Sequence, residues 1–133
     1  MVNIEDWKKK GFNFIDGKLI NKKPYNKYGN KKVEVDGFKF DSKKEATYYG
    51  QLKLLLKSGE IMGFDRQVKM PITVNGLHIA NYVLDFKVIY ADGSIKYVDV
   101  KAKTKDGKWI KTSVFSLKKK LIEAIYNIKI ILE

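Results

Sequence analysis

The chain has 133 residues, 44% of them hydrophobic, enough for one packed domain and too many for wholesale disorder. It has no cysteine and one histidine, His78, which excludes a disulfide framework, a thiolate metal site, a cysteine nucleophile and a His-pair zinc centre. Lysine plus arginine number 27 against 15 aspartate plus glutamate, and the formal net charge of +12 favours polyanionic partners, nucleic acid above all, through phosphate contact and counterion release.

The cationic surplus is nearly all lysine. Arg66 is the one arginine, and base readout in the grooves leans on arginine forks, so recognition of backbone or shape is expected. No apolar run approaches the ~18 residues of a membrane span. The opening MVNIEDWKKKGF has no apolar core of a signal peptide, so the expectation is a cytoplasmic protein with no membrane partner.

In chain order, residues 1–32 read as a basic N-terminal arm and 33–133 as a single domain. NKKPYNKYGNKK (21–32) is a basic loop, and Lys31 and Lys32 at its end are candidate DNA contacts. VEVDGFKF (33–40) alternates on both sides of Asp36-Gly37, which predicts a β-hairpin. Ser42 followed by Glu45 is a capping box, and Ala46, Tyr49, Leu52, Leu55 and Leu56 keep helical spacing up to Ser58-Gly59. The pattern predicts a helix over 42–58.

A strand is expected over Ile61–Met70, ending at Pro71. Ile72–Val74 and Leu77–Ile79 suggest a small hairpin around Asn75-Gly76. Asn81–Tyr90 and Ser94–Ala102 flank Asp92-Gly93 as a long hairpin. Lys103–Lys111 reads as a polar loop. A second helix is predicted over Ser113–Tyr126, with Val114, Leu117, Leu121, Ile122 and Ile125 on one stripe, and a short strand over Ile128–Leu132. The fold class is α/β in the α+β sense: a mixed sheet with αβββαβ order behind a small hairpin and a basic arm.

KYVDVK (96–101) puts Asp99 and Lys101 inside an apolar strand, where charge persists only with a partner or a task. A three-residue loop, Ala91-Asp92-Gly93, pairs positions whose numbers sum to 184. Leu84, Phe86 and Val88 then face Val100, Val98 and Lys96 as a core face. The opposite face carries Asp85 against Asp99, with Lys101 one pleat on. Directly opposed carboxylates ~5 Å apart repel, and at least one takes up a proton unless a cation relieves the conflict. Oxygen ligands of this kind suit Mg²⁺ or Mn²⁺. Lys101 is placed to stabilise charge developing on a phosphate. The competing reading is a solvated sheet face with Lys101 in a cross-strand ion pair. Glu45 is fully explained by capping.

Asp85 in YVLDF, the Asp99-Val100-Lys101 triplet and Glu45 on the preceding helix resemble the PD-(D/E)xK nuclease superfamily, and the order of elements resembles its restriction-endonuclease-like core. Residues 27–61 look like a phage-encoded family of small Holliday-junction resolvases, through the basic Lys-Tyr segment, the hairpin ending in F-D-S-K-x-E-A, and L-x-x-L-x-x-x-G-x-I. The resemblance covers roughly residues 27–132.

It implies a metal-dependent endodeoxyribonuclease that resolves four-way junctions in phage DNA recombination or replication, working as a homodimer in the host-cell cytoplasm. Asp85, Asp99 and Glu45 would be metal ligands for Mg²⁺ or Mn²⁺, Lys101 the catalytic lysine, and Gln67 a neighbour of the site. The alternatives are another structure-selective, repair or restriction-type nuclease, or a non-catalytic DNA-binding module. The triplet is D-x-K where E-x-K is commoner, and Ala102 stands where glycine is usual. Lys103, Lys105, Lys108 and Lys111 read either as phosphate contacts or as a solvated loop. Trp109 reads as a loop anchor or a base-stacking residue. Lys118 is the candidate lysine of the last helix.

Overall fold

The computed structural model describes residues 12–15, 18–21 and 32–133. The chain divides into two compact units, 1–30 and 31–133. In the first, β1 (Phe12–Ile15) and β2 (Lys18–Asn21) pair antiparallel, from Phe12 opposite Asn21 to Ile15 opposite Lys18. The basic arm therefore contains a hairpin that its weak periodicity did not announce.

The second unit opens with β3 (Val33–Val35) and β4 (Phe38–Phe40). Their turn residues Asp36 and Gly37 take φ of 53° and 78°, the doubly left-handed turn whose twist matches a tight hairpin. Helix α1 spans Lys43–Ser58, the predicted extent. Ser42 Oγ accepts from the Glu45 N–H at 3.1 Å, and Gly59, at φ 83°, closes the other end on the Leu55 and Leu56 carbonyls. Ala46, Tyr49 and Leu52 are buried, whereas Leu56 stays exposed.

Strands β5 (Ile61–Val74) and β6 (Leu77–Tyr90) form one long antiparallel hairpin around Asn75-Gly76. The expected break at Pro71 does not occur. Pro71 pairs with Asn81, and the sheet order β5-β6-β7-β8 makes β5 an edge strand, where a missing N–H leaves no inner ladder bond unmade. β7 (Ile95–Asp99) is shorter than predicted. It pairs with β6 from Ile95 opposite Ile89 to Val98 opposite Phe86, in the register that sums to 184. Helix α2 (Ser113–Tyr126) is capped by Thr112 and Asn127 and returns the chain to β8 (Ile130–Leu132), which lies parallel to β7. The result is a mixed α+β unit with αβββαβ order. Among the described residues no helix is long and apolar enough to cross a membrane.

Two apolar clusters cover the sheet. Phe40, Tyr49, Leu52, Ile61, Phe86, Val88 and Val98 pack with α1, joined by Phe64. Met70, Ile72, Tyr82, Leu84, Ile122 and Ile130 pack with α2, joined by Val68 and Phe115. Burying a side chain of this kind contributes ~1.5–3 kcal/mol. Leu84, Phe86, Val88 and Val98 are all fully buried, as the register predicts, but Leu84 packs with the second cluster and Phe86 with the first. The division falls at Gln67, which lies between Arg66 opposite Phe86 and Val68 opposite Leu84 and has φ 50°. Left-handed backbone at a non-glycine residue inside a strand costs free energy and persists only where its surroundings hold it.

The stripe expected on α2 is also shifted. Ile122 is buried, but Val114, Leu117 and Ile125 are exposed. The helix is turned so that Phe115 meets the Tyr82 ring at 6.0 Å and the Lys118 ammonium donates to the Asn81 carbonyl at 3.2 Å.

Candidate active site

The β6–β7 ladder stops at Phe86 and Val98. One residue further on each strand stand Asp85 and Asp99, and here side chains do the pairing. The Asp85 N–H donates to Asp99 Oδ1 at 3.0 Å, and the Val100 N–H donates to Asp85 Oδ2 at 2.9 Å. The two carboxylates stand in for backbone carbonyls across a splayed pair of strands, which satisfies amides that would otherwise be orphaned. Tyr82 donates its hydroxyl to Asp99 Oδ2. Beyond the gap the chain is held from the other side, by the Lys101 N–H on the Glu133 carbonyl at 3.0 Å.

Glu45 reaches this junction indirectly. Ser42 forms its half of the capping box, but the Glu45 carboxylate accepts from Gln67 Nε2 at 3.2 Å, and the same amide lies 3.4 Å from Asp85 Oδ1. The left-handed Gln67 thus ties the first helix to β6. Glu45 is 6% exposed and Asp99 2%. The face expected to lie away from the core is in fact buried at Asp99.

Burial pushes the Glu45 carboxyl up to about 7, and the charges of Asp85 and Asp41 push the same way, opposed by Arg66. Asp85 is raised by burial, against the pull of the Val100 N–H, the Lys101 charge and the Gln67 amide. Asp99 is raised by burial, against the Asp85 N–H, Lys101 and Lys119. Proton affinity was expected to rise through repulsion between opposed carboxylates. The leading cause at all three is instead desolvation.

The Lys101 ammonium rests 4.0 Å from the centre of the Phe115 ring, and its charge still reaches both aspartates. An open cleft of about 310 Å³ runs between β6 and the start of α2, lined by Asp85, Asp99, Lys101, Phe115 and Lys118 among others. Lys118 lines this cleft, while the helix lysine whose charge is felt at Asp99 is its neighbour Lys119. The segment after Lys101 is a small hairpin of its own: Lys103 bridges to Trp109, Thr104 N–H meets the Lys108 carbonyl at 2.8 Å, and Gly107 has φ 80°. Trp109 lies under two ammonium groups, Lys103 at 4.2 Å and Lys44 at 5.0 Å. Lys44 also donates to the Lys101 carbonyl at 2.7 Å, so this loop is anchored to the first turn of α1. Lys32, Lys103, Lys105, Lys108 and Lys111 are exposed. Lys31 lies outside the described residues.

Among the described residues, no three His, Cys, Asp or Glu side chains converge closely enough to hold a metal ion. The donor chemistry is nonetheless that of a hard cation: three carboxylates and an amide, with no nitrogen or sulfur ligand. Sequence reasoning missed Tyr82, Lys44 and Phe115. Strict alternation places Tyr82 on the face opposite Asp85 and Asp99. The Tyr82 hydroxyl nonetheless reaches Asp99 Oδ2, and nothing in the residue types marks that contact.

No curated protein and no solved structure matches the chain. A family model described as "Protein of unknown function (DUF1064)" matches residues 25–131, a span that takes in every residue of the junction, and the chain belongs to that family.

Proposed function

We propose that the protein is a metal-dependent endodeoxyribonuclease with a restriction-endonuclease-like core, acting as a homodimer on four-way DNA junctions. One observation carries the reading. Where β6 and β7 splay, Asp85 and Asp99 lie together, Lys101 follows two residues on, and Glu45 joins them through Gln67. A net charge of +12 supports a polyanionic substrate.

The carboxylate donors are of the kind Mg²⁺ or Mn²⁺ takes, and Glu45, Asp85 and Asp99 would hold the ion once drawn together, since they do not converge on one point in this structure. When bound, such an ion polarises a phosphoryl oxygen and makes water a better nucleophile. Lys101 opposes the negative charge that develops on the phosphoryl oxygens. Lys118, on the far wall of the cleft, and the exposed Lys103, Lys105, Lys108 and Lys111 hold flanking phosphates. The oxygen of water forms the new bond to phosphorus as the bond to the 3′ oxygen breaks. Water gives up its proton to solvent, and the departing 3′ oxygen takes one up. The products carry a 5′-phosphate and a 3′-hydroxyl.

The test is incubation of labelled four-way junctions and matched linear duplexes with the protein, in Mg²⁺ or in EDTA. Paired symmetric nicks near the crossover, abolished by EDTA, are expected. Equal cutting of linear duplex replaces the junction assignment with a general or restriction-type nuclease. Binding without cutting in either Mg²⁺ or Mn²⁺ leaves a DNA-binding module.

A further inference from the structure

The single arginine acts on the junction only through its charge at Glu45, and its setting is unusual. The Arg66 guanidinium carbon lies 4.6 Å from the centre of the Phe38 ring and 4.5 Å from that of Phe40, so the group is stacked against both rings of the β3–β4 hairpin. Among the described residues Arg66 has no ion pair, and its Nε is buried without a hydrogen-bond partner. A desolvated guanidinium donor without an acceptor is costly, and such groups in folded proteins have a reason to be there.

Beside it is a second recess, of about 400 Å³, lined by Phe38, Tyr49, Phe64, Asp65 and Arg66. Tyr49 meets Phe38 at 67° with centroids 6.0 Å apart and Phe64 at 81° with centroids 5.7 Å apart. The three rings therefore wall a hollow instead of stacking into it. Phe38 is 45% exposed, a large apolar surface left open at its mouth.

We infer that this recess binds an unpaired nucleotide of a DNA strand, its base against the aromatic walls and its phosphate on the Arg66 fork. The inference rests on the nucleic-acid reading above and extends it to a substrate with single-stranded character. Aromatic rings take any base by stacking, and an arginine fork matches phosphate in geometry as a lysine does not. Asp65 at the rim is an acceptor for the exocyclic amine of a base. The recess adjoins the junction without sharing its carboxylates: Arg66 precedes Gln67 on β5, and its charge is felt at Glu45.

The experiment is fluorescence anisotropy in EDTA, with a labelled unstructured single strand and a blunt duplex of equal length. It compares the unmodified protein with Phe38→Ala, Phe38→Tyr and Arg66→Lys, each checked for native circular dichroism. Phe38→Ala is expected to weaken single-strand binding about tenfold and duplex binding less than about twofold, on the scale of one stacked base. Phe38→Tyr keeps the ring and is expected to bind like the unmodified protein. Arg66→Lys keeps the charge but loses the fork, and is expected to weaken single-strand binding roughly fivefold. Unchanged single-strand binding in Phe38→Ala, or equal loss for both substrates, overturns the recess and leaves the nuclease reading standing. Failure of the unmodified protein to bind either DNA overturns both.

Discussion

Asp36 and Asp92 sit in hairpin turns, exposed to solvent, and both are held below the usual carboxylate range. Asp36 is bound by Lys53 and the Tyr49 hydroxyl, and Asp92 by the N–H and hydroxyl of Ser94 at 2.8 and 2.6 Å. Glu45, Asp85 and Asp99 sit where the β6–β7 ladder gives out, and all three are held above it. The turn aspartates each accept from partners that favour their charge, and they stabilise local backbone. The junction carboxylates also accept hydrogen bonds, yet burial outweighs them. Asp85 and Asp99 serve the backbone as well, through the amides they accept from, but raised carboxyls gathered at one break in a sheet are what the proposed function needs, and that makes the contrast with the turns worth testing.

The largest effect expected from breaking this contrast is on chemistry. Asp85→Asn, Asp99→Asn and Lys101→Ala should each lower DNA cleavage by roughly 10²–10³-fold while junction binding in EDTA is kept, the scale of removing one charge-stabilising group from an active site. Rates on labelled junctions against binding isotherms for the same variants check this.

Next is the pH dependence of stability. A carboxyl raised from 4.5 to about 7 binds its proton more tightly in the folded state, so stability falls as pH rises between those values and levels off above them. The drop attached to Glu45 is on the order of 3 kcal/mol at ~1.4 kcal/mol per unit. Urea unfolding of Glu45→Gln from mildly acid to neutral pH should show a flatter profile than the unmodified protein. An unchanged slope would mean that Glu45 is not the titrating group.

Tyr82→Phe removes a donor from the buried Asp99 carboxylate and should cost about 2 kcal/mol, the usual scale for a hydrogen bond to a charged group. The loss should shrink in acid, where Asp99 is protonated; chemical denaturation at two pH values measures it. The smallest effect belongs to the turns, and it has the opposite sign. A lowered carboxylate contributes stability that is present above its unfolded value and lost as pH falls through its folded value. Asp36→Asn and Asp92→Asn should therefore matter slightly at neutral pH and not at all in strong acid, as thermal melts across that range would show.

The local devices of this fold were written plainly in the sequence. Ser42 and Gly59 delimit α1, Asp36-Gly37 makes a tight turn, and the three-residue loop before Ser94 sets the β6–β7 register that brings Asp85 opposite Asp99. What stayed hidden depends on neighbours. Pro71 reads as a stop until β5 is known to be an edge strand. Gln67 carries no signature of left-handed backbone, and neither the division of Leu84 from Phe86 beside it nor the Tyr82–Asp99 contact could be read from residue types. Ser42 and Glu45 look like a closed capping box, and only the position of Gln67 across the sheet sends the glutamate elsewhere.

Because carboxylate oxygens replace carbonyls in the last rungs between β6 and β7, the amide protons of Asp85 and Val100 are wired to the charge of the site. In a nuclear magnetic resonance spectrum those two backbone signals become resident probes. Their chemical shifts should move together with protonation of Asp85 and Asp99, or with any ligand those side chains accept. No label or substrate is needed to read them.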